Sequence, residues 1–309
     1  MAGDGDGLDN SPCTVILRRM TYQQPIDPRT HVGVVSLTVA NLARSMRFYG
    51  AVLGLTPAER GNGSVLLAAG DTPLLHLVEL PGAQPKPARA TGLYHFAVLL
   101  PSRPELARWL RHMLDGGWPL QGWSDHGVSE AIYLADPDDN GIEIYRDRPR
   151  SEWPVLDGAL QMTTDPLDAR GLLALAGDAA PSGYAMPTGA VMGHVHLHVA
   201  DIPQAQAFYC DVLGFDLVQR YGPSALFVSA GGYHHHIGLN TWAGVGAPPA
   251  PAGSAGLRYF TVVVPDEASL TSLVGRVQGA GIAVVPQDGG WQLQDPSGSG
   301  IRLVVRDAR

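Results

Sequence analysis

The sequence has very little cysteine, with Cys13 and Cys210 as its two thiols in 309 residues. Two thiols cannot form the disulfide framework of a small secreted protein or a four-thiolate metal site. Basic side chains are also scarce, with 21 Lys and Arg against 29 Asp and Glu and a formal net charge of −8. Because nucleic acids and anionic membranes bind cationic surfaces, we expect neither as a partner.

Long apolar runs and a targeting segment are missing too. No stretch of the sequence approaches the roughly 20 apolar residues that a membrane-spanning helix needs. Residues 1–12 are acidic and rich in glycine, unlike the basic start and apolar centre of a signal peptide. We therefore expect a cytoplasmic protein. Hydrophobic residues make up 45% of the chain and charged ones 16%, which favours packed cores over long solvated helices.

Histidine is present in excess, with 11 residues against the two cysteines. A metal site in this chain would therefore need imidazole and carboxylate ligands. In residues 193–199 the period of two places His194, His196 and His198 on one strand face and apolar residues on the other. Such a strand either lines an enclosed site or carries solvated histidines on an exposed face, because alternation alone does not separate the two.

An internal repeat organises the chain. Three segments recur in order at an offset of roughly 160 residues: Phe48–Leu55 as Phe208–Phe215, Gly92–Val98 as Gly256–Val262, and Asp136–Ile144 as Asp295–Leu303. Each half divides again into two β-α-β-β-β modules, at residues 31–80, 92–147, 190–241 and 256–306. We predict a first domain over 31–148, a connector over 149–189 and a second domain over 190–307.

Local signals place several helix ends. Asn41 or a neighbour is suited to cap a helix that ends at Gly54. Ser102–Glu105 has the pattern of a capping box with proline in the first turn, and it predicts a helix through Met113. The proline-rich connector is expected to contain a short helix around Ala169–Ala176.

A second histidine cluster lies in Tyr233–Asn240, before a predicted strand. Adjacent strand residues point to opposite faces, so His234, His235 and His236 cannot all bind one metal. One functional histidine beside two packed or solvated ones is one interpretation. An exposed run of three is the alternative.

Comparison of the repeats separates the modules by their polar residues. The residue that matches His95 is Tyr259, and the residue that matches Glu143 is Arg302. In the first strands, His194 is matched by Val34. Modules 2 and 3 therefore hold two histidines and a glutamate at equivalent positions, and modules 1 and 4 hold none of the three. Core packing does not account for this division.

The chain resembles the vicinal oxygen chelate superfamily, which includes glyoxalases, bleomycin-resistance proteins and extradiol dioxygenases, and in particular its catechol 2,3-dioxygenase branch. The resemblance covers roughly residues 30–306. It is close in Gly92–Ala97, His126–Leu134, Gly193–Val199 and Gly231–Asn240. The extradiol signature is a histidine, an aliphatic-tyrosine pair, an acidic-proline turn and a glutamate. It is matched by His126, Ile132–Tyr133, Asp136–Pro137 and Glu143, with departures at Ser124 and Asp139.

The resemblance implies an α+β fold in which the modules form two glyoxalase-like domains with cup-shaped mixed sheets. It also implies that His95, Glu143 and His194 are metal ligands. Two imidazoles and one carboxylate are the ligand set of non-haem Fe(II) oxygenases. The implied cofactor is Fe(II), with Mn(II) as an alternative, and the implied co-substrate is dioxygen. The implied function is extradiol cleavage of catechol or a substituted catechol, a step of aromatic hydrocarbon catabolism.

Further roles follow from the resemblance alone. His235 matches the acid/base histidine of the family, Tyr133 matches a tyrosine that bonds a substrate or ligand oxygen, and His126 matches a pocket histidine. His196, His198 and Asn240 are candidates for substrate binding. The expected partner is a small aromatic diol, and self-association into a homo-oligomer stays open.

The position of the triad predicts an unusual pairing of modules. Relatives of the better-known kind take their ligands from modules 3 and 4, but here Tyr259 and Arg302 occupy two of those positions. We therefore predict that module 2 pairs with module 3 around the metal, and that module 1 pairs with module 4 without one. Two other functions remain open at this point, a glyoxalase-like metal-dependent isomerase or lyase and a metal-free small-molecule-binding protein.

Overall fold

A computed structural model describes residues 24–177 and 183–306. Segments with alternating apolar residues form the strands of its four modules. The expectation about a targeting segment and the thiol of Cys13 both belong to residues 1–23, outside this part of the chain. Within the described part, no helix combines the length and apolar character that crossing a membrane requires. The thiol of Cys210 forms no disulfide, and burial raises its pKa to about 12.

Each module has the predicted β-α-β-β-β order. The first contains β1 His31–Val39, α1 Leu42–Leu53, β2 Thr56–Gly61, β3 Ser64–Ala69 and β4 Thr72–Glu79. The second contains β5 Gly92–Leu99, α2 Arg103–Asp115, β6 Gly122–Asp125, β7 Ser129–Ala135 and β8 Gly141–Asp147. The connector holds a 3-10 turn Arg150–Glu152, the hairpin β9 Val155–Leu156 and β10 Ala159–Leu160, and helix α3 Ala169–Leu173.

The second half repeats this plan. The third module contains β11 Val191–His198, α4 Ile202–Gln206 with a π-helical continuation Ala207–Val212, β12 Asp216–Tyr221, β13 Ala225–Ser229 and β14 Ile237–Asn240. The fourth contains β15 Gly256–Val264, α5 Glu267–Gly279, β16 Val285–Gln287, β17 Gly290–Gln294 and β18 Gly300–Val305. The predicted α+β fold of four such modules is confirmed.

The predicted helix ends agree with the structure. The side chain of Asn41 accepts a hydrogen bond from the amide of Arg44, and Gly54 ends α1 in the left-handed conformation with φ 68°. The side chain of Ser102 caps α2 in the same way. Helix α3 ends three residues before the predicted Ala176.

The sheets combine modules from opposite halves of the chain. One eight-stranded sheet has the order β16-β17-β18-β15-β1-β4-β3-β2, and the other has the order β12-β13-β14-β11-β5-β8-β7-β6. Antiparallel pairing of β5 with β11 joins modules 2 and 3, and pairing of β1 with β15 joins modules 1 and 4. The predicted pairing of modules is therefore confirmed. The domain bounds at 148 and 190 stay a prediction, since each sheet draws strands from both halves.

The two sheets share one core. The central strands contact each other across it, β1 with β11 and β5 with β15. Their apolar residues are fully buried there, as Leu37, Phe96, Leu197 and Phe260 show. The opposite faces of the sheets therefore point away from the core, and each is available to line a cavity.

The repeated Asp-Pro turns connect modules that are consecutive in the chain. The Tyr49 hydroxyl of α1 donates to Asp136 at 2.7 Å, and the Tyr209 hydroxyl donates to Asp295 at 3.0 Å. Both carboxylates also accept backbone amides of their own turns. At the turn position where the resemblance leads us to expect glycine, Asp139 adopts φ 64°, a conformation that aspartate tolerates.

Candidate metal centre

Three neighbouring strands of the second sheet position the candidate metal ligands. His194 on β11 lies opposite Ala97 on β5, and Ala97 lies opposite Glu143 on β8. His95 is two residues before Ala97 on the same strand and therefore on the same face. Ala97 adds only a methyl group to this face, so the three longer side chains converge above it. Sheet register alone thus brings together residues from both halves of the chain.

The ligand atoms meet at one carboxylate oxygen. Oε2 of Glu143 lies 3.1 Å from Nε2 of His95 and 3.3 Å from Nε2 of His194. All three side chains are buried, with relative exposures of 7% for His95, 3% for Glu143 and 1% for His194. Burial by itself raises the pKa of Glu143, but the two histidines outweigh it and hold that pKa well below its usual range. Burial lowers the pKa of His194.

The donor set fits a divalent metal ion. One candidate ligand atom from each of the three residues lies within 4.8 Å of the others, and within residues 24–177 and 183–306 no other group of three such side chains meets this condition. Nε2 of His95 is buried and forms no aligned hydrogen bond, although the carboxylate is close. A buried nitrogen that lies 3.1 Å from a carboxylate oxygen without an aligned hydrogen bond is the geometry expected when both atoms face a shared ion. Two imidazoles and one carboxylate leave coordination positions free for small ligands.

A cavity of about 540 Å³ opens beside this cluster. Such a volume is in the range of sites for small organic molecules. Its walls combine the polar side chains of the cluster with aromatic and apolar residues, among them Trp123, Met162, Pro166, Phe227 and Trp242. Among residues 24–177 and 183–306, no lysine or arginine side chain lines this cavity, so the described walls suit a neutral, flat and partly apolar ligand.

Tyr133 and His126 form a hydrogen-bonded pair on the wall of this cavity. Nδ1 of His126 donates to the carbonyl of Thr163 at 2.7 Å, so its Nε2 accepts the Tyr133 hydroxyl proton at 2.7 Å. Tyr133 is also directly opposite Glu143 in the pairing of β7 with β8. Burial, together with the Glu143 carboxylate, raises the pKa of Tyr133 well above its usual value, so this hydroxyl stays protonated. The two residues are therefore placed together beside the ligand cluster.

His235 lies beside the candidate metal ligands, with its ring centroid 4.1 Å from that of His194. Its Nδ1 is 2.8 Å from Nδ1 of His234, and Nε2 of His234 is 2.9 Å from Oδ1 of Asp147. A carboxylate only accepts, so Nε2 of His234 donates and its Nδ1 accepts. His235 therefore donates from Nδ1 and keeps its lone pair on Nε2. Burial and the neighbouring histidines lower the pKa of His235 well below its ordinary value, which favours the neutral ring.

Two tyrosines support this chain of hydrogen bonds. The Tyr233 hydroxyl donates to Asp147 at 3.1 Å and lies 2.8 Å from the Tyr145 hydroxyl. The Tyr145 hydroxyl fits because residue 193 is glycine, where an added Cβ would lie 1.8 Å from that oxygen. Asp147, Tyr145 and Tyr233 were missed in the sequence. The one signal in the sequence is the spacing of Asp147 and Tyr145, which are two residues apart and therefore lie on the same strand face.

The other candidate histidines have different surroundings. His196 lines the cavity, and Gly238 makes room for its ring, since an added Cβ there would lie 2.8 Å from Cγ of His196. His198 and Asn240 are not among the lining residues; they bond to each other, with Nδ1 of His198 2.7 Å from Oδ1 of Asn240. His236 accepts the amide of Ala230 and is thereby fixed in the backbone structure. Three adjacent histidines thus have three different environments, although they lie in the loop before β14 and not on the strand that we expected to separate them.

Part of the connector also belongs to the site. Residues 162–166 form one side of the cavity. The side chain of Gln219 holds this segment through both the amide and the carbonyl of Met162, at 2.6 and 3.1 Å. Backbone bonds in both directions join Asp165 to Asp125 at 2.9 Å. The sequence indicated only a connector at 149–189, because a loop without hydrophobic periodicity does not reveal which part of the fold it packs against.

Comparison with known proteins agrees with this geometry. Residues 31–144 and 191–303 match the family described as the Glyoxalase/Bleomycin resistance protein/Dioxygenase superfamily. A Bacillus subtilis protein named catechol-2,3-dioxygenase is 48% identical over 281 residues, which is 89% of this chain and 98% of that protein.

Two solved structures show the same fold at low sequence identity. One is a Bacillus subtilis protein provisionally named a dioxygenase, with a TM-score of 0.65 and 12% identity over 92% of this chain and 87% of that chain. The other is glyoxalase I from Zea mays, with a TM-score of 0.54 and 15% identity over 89% of this chain and 92% of that chain. The family match to both halves and the close relative together establish that this chain belongs to the Glyoxalase/Bleomycin resistance protein/Dioxygenase superfamily.

Proposed function

We propose that this chain is an Fe(II)-dependent extradiol dioxygenase that cleaves catechol or a substituted catechol beside its two hydroxyl groups. The observation that carries the proposal is the convergence of His95, Glu143 and His194 beside a cavity whose described lining has no lysine or arginine. The enzyme class expected from the sequence, an oxidoreductase of the dioxygenase type, is confirmed by the relative that is 48% identical. The metal and the substrate are the parts that we propose.

The metal would be held by His95, Glu143 and His194. When bound there, Fe(II) supplies a centre at which the two vicinal oxygens of a catechol and a dioxygen molecule come together. Two of these residues favour the unprotonated form in the neutral pH range, since the pKa of Glu143 is held well below its usual value and that of His194 is lowered. Metal binding therefore needs little proton release near pH 7.

His235 is the base for the substrate hydroxyl in this proposal. The Asp147–His234 chain keeps a proton on Nδ1 of His235 and leaves the Nε2 lone pair available. A neutral imidazole of this kind can take a proton from a catechol hydroxyl and return it to an oxygen of the cleaved ring. Tyr133, whose own proton is directed to His126, can accept or orient a hydroxyl group on the opposite wall.

The cavity favours an aromatic diol over a charged substrate. Trp123, Phe227 and Trp242 supply aromatic faces against which a ring can stack. The described part of the lining offers no lysine or arginine, which disfavours substrates that carry phosphate or several carboxylates. A volume of about 540 Å³ leaves space for ring substituents in addition to catechol itself.

The proposal is tested by an aerobic assay of iron-loaded protein against a panel of catechols. We expect a yellow ring-fission product, together with the uptake of dioxygen, for at least one simple catechol. His112→Asn is a matched control, because His112 bonds to a carbonyl on α1 far from the cavity, and this variant should keep the wild-type rate. Protein with iron bound that yields no product with any member of the panel would contradict the proposal. Spontaneous Zn²⁺ or Ni²⁺ binding with isomerase activity would replace it by the glyoxalase-like alternative.

A further inference from the structure

The first sheet carries a second cavity on its outward face, with a volume of about 510 Å³. The strand register shows that it is the counterpart of the candidate metal centre. Tyr259 lies opposite Ser36 just as His95 lies opposite His196, and Arg302 lies opposite Thr261 just as Glu143 lies opposite Ala97. Arg302 thus puts a positive charge where the metal centre has a carboxylate. This cavity therefore differs from the candidate metal centre in the sign of its charge, in addition to lacking the ligands.

The guanidinium of Arg302 is held in place but not neutralised. It lies over the Tyr259 ring, 4.4 Å from the centroid, and its side chain is only 13% exposed. Its charge partner is Asp288 at 3.3 Å, whose side chain is 75% exposed. An ion pair with so exposed a carboxylate contributes little and is easily exchanged. The buried Nε of Arg302 has no hydrogen-bond partner among the described residues.

His76 adds a neutral donor to the same cavity. Its Nδ1 lies 3.2 Å from the Ser36 hydroxyl and 3.4 Å from the Tyr259 hydroxyl. Burial, and then the charges of Arg258 and Arg302, lower the pKa of His76, so the ring is neutral near pH 7. Both hydroxyls can donate to Nδ1, and Nε2 then carries the proton.

The charge of the lining contrasts with that of the whole chain. Among the described residues that line the cavity, Lys86, Arg258 and Arg302 are basic and Asp288 alone is acidic, while Asp139 lies near Lys86 outside the lining. The chain as a whole has a formal net charge of −8. A cationic cavity on an acidic protein concentrates small anions and repels large acidic partners.

We propose that this second cavity binds a small organic carboxylate, with its two oxygens held by the guanidinium of Arg302. A planar guanidinium that is fixed over an aromatic ring matches a planar carboxylate through two parallel hydrogen bonds. Pro251, Leu257 and the Tyr259 ring give the cavity apolar surface that suits the carbon part of such a ligand. No metal-ligating triad lies in this cavity among the residues that the structure describes, so the binding that we propose uses no metal and does not depend on the proposed dioxygenase activity.

Calorimetric titration of benzoate into iron-loaded protein tests this proposal, with inorganic phosphate as a second probe. We expect benzoate to bind the wild type, and Arg302→Gln to weaken that binding about ten-fold or more, because hydrogen bonds to charged groups are the strong ones. Arg302→Lys keeps the positive charge but loses the paired N–H donors of the guanidinium. Its affinity for benzoate should lie between those of the wild type and Arg302→Gln. Arg47→Gln removes an exposed arginine of α1 and should bind benzoate as the wild type does.

Iron content and thermal unfolding of each variant show that the fold and the metal centre are intact. Equal benzoate affinity of the wild type and Arg302→Gln would overturn the proposal, since the ligand would then be elsewhere, for example at the metal. Absence of benzoate binding at millimolar concentration would overturn it as well. Binding of phosphate but not benzoate would refute the carboxylate and leave a site for another anion.

Discussion

At the scale of single residues, three substitutions distinguish two sheets that are otherwise built alike. His194, His95 and Glu143 in one sheet correspond to Val34, Tyr259 and Arg302 in the other. This division was visible in the sequence because the internal repeat allowed each residue to be compared with its counterpart. The supporting residues were not visible. Nothing in the spacing of Asp147 or His234 indicates that their side chains meet, since that contact depends on how the loop before β14 folds back over β8.

Metal binding should follow this division. Glu143→Ala and His194→Ala should each weaken Fe(II) binding by more than about 100-fold, since loss of even an outer partner of a metal ligand costs about 10–100-fold. Tyr259→Ala is the matched control in the other sheet and should retain the wild-type iron content. Equilibrium dialysis followed by elemental analysis measures all three. Equal loss from Tyr259→Ala would refute the assignment of the metal to modules 2 and 3.

The hydrogen-bond chain behind His235 predicts a graded effect. Asp147→Ala removes the acceptor that fixes the tautomer of His234, and kcat for catechol should fall about 10-fold or more, which is part of the roughly 100- to 10,000-fold that general acid–base catalysis contributes. Asp147→Asn keeps an acceptor oxygen and should recover most of that rate. Because neither variant alters a metal ligand, iron content should be unchanged. Equal rates for Asp147→Ala and the wild type would remove Asp147 from the positioning role.

At the scale of secondary-structure elements, the sequence predicted the modules and the helix ends but not the function of the connector. Caps such as Asn41 and Ser102 act on their own neighbours, so their chemistry can be identified locally. The segment 162–166 is ordered by Gln219 and Asp125, which belong to other elements. Its place in the cavity wall is therefore a tertiary property, which local pattern cannot show.

The turn at Asp295 predicts a pH dependence of stability. Burial raises the pKa of this carboxyl from 3.8 to about 6, against the opposing hydrogen bonds of its turn. The folded state therefore binds the proton more tightly than the unfolded state, and stability from this group is complete below pH 3.8 and is lost as the pH rises to 6. The loss is about 3 kcal/mol for a shift of this size.

Asp295→Asn keeps an oxygen acceptor for the turn amides and carries no titratable proton. Denaturant unfolding between pH 4 and 6 should show that the difference in unfolding free energy between the variant and the wild type changes by about 2 kcal/mol over this range, which is most of the full effect. The free energy of unfolding of the variant, relative to that of the wild type, should increase as the pH rises. A difference that stays constant across this range would show that Asp295 has the same proton affinity in the folded and unfolded states.

At the scale of the whole molecule, the interleaved sheets make the two halves of the chain dependent on each other. His95 and Glu143 come from the first half and His194 from the second, and they meet only because β5 pairs with β11. The pairing could be predicted because the ligand positions lie in modules 2 and 3. The core that the two sheets share could not be predicted, since the same apolar strand faces would also suit two separate domains.

A divided chain tests this dependence. Separately produced fragments 1–180 and 181–309 should each fail to bind Fe(II) with the affinity of the intact protein, because neither contains all three ligands. Mixing them during refolding should restore one metal site, since both sheets can then form. Circular dichroism and iron binding follow the recovery. Tight iron binding by either fragment alone would contradict the arrangement described above.

The most direct test of the central claim is the rate of catechol cleavage measured against iron content in protein loaded to graded occupancy. Iron should saturate at one ion per chain, and the rate should rise in proportion to bound iron from zero in the iron-free protein. Turnover that persists without iron, or a fully loaded protein that leaves every catechol intact, would contradict it.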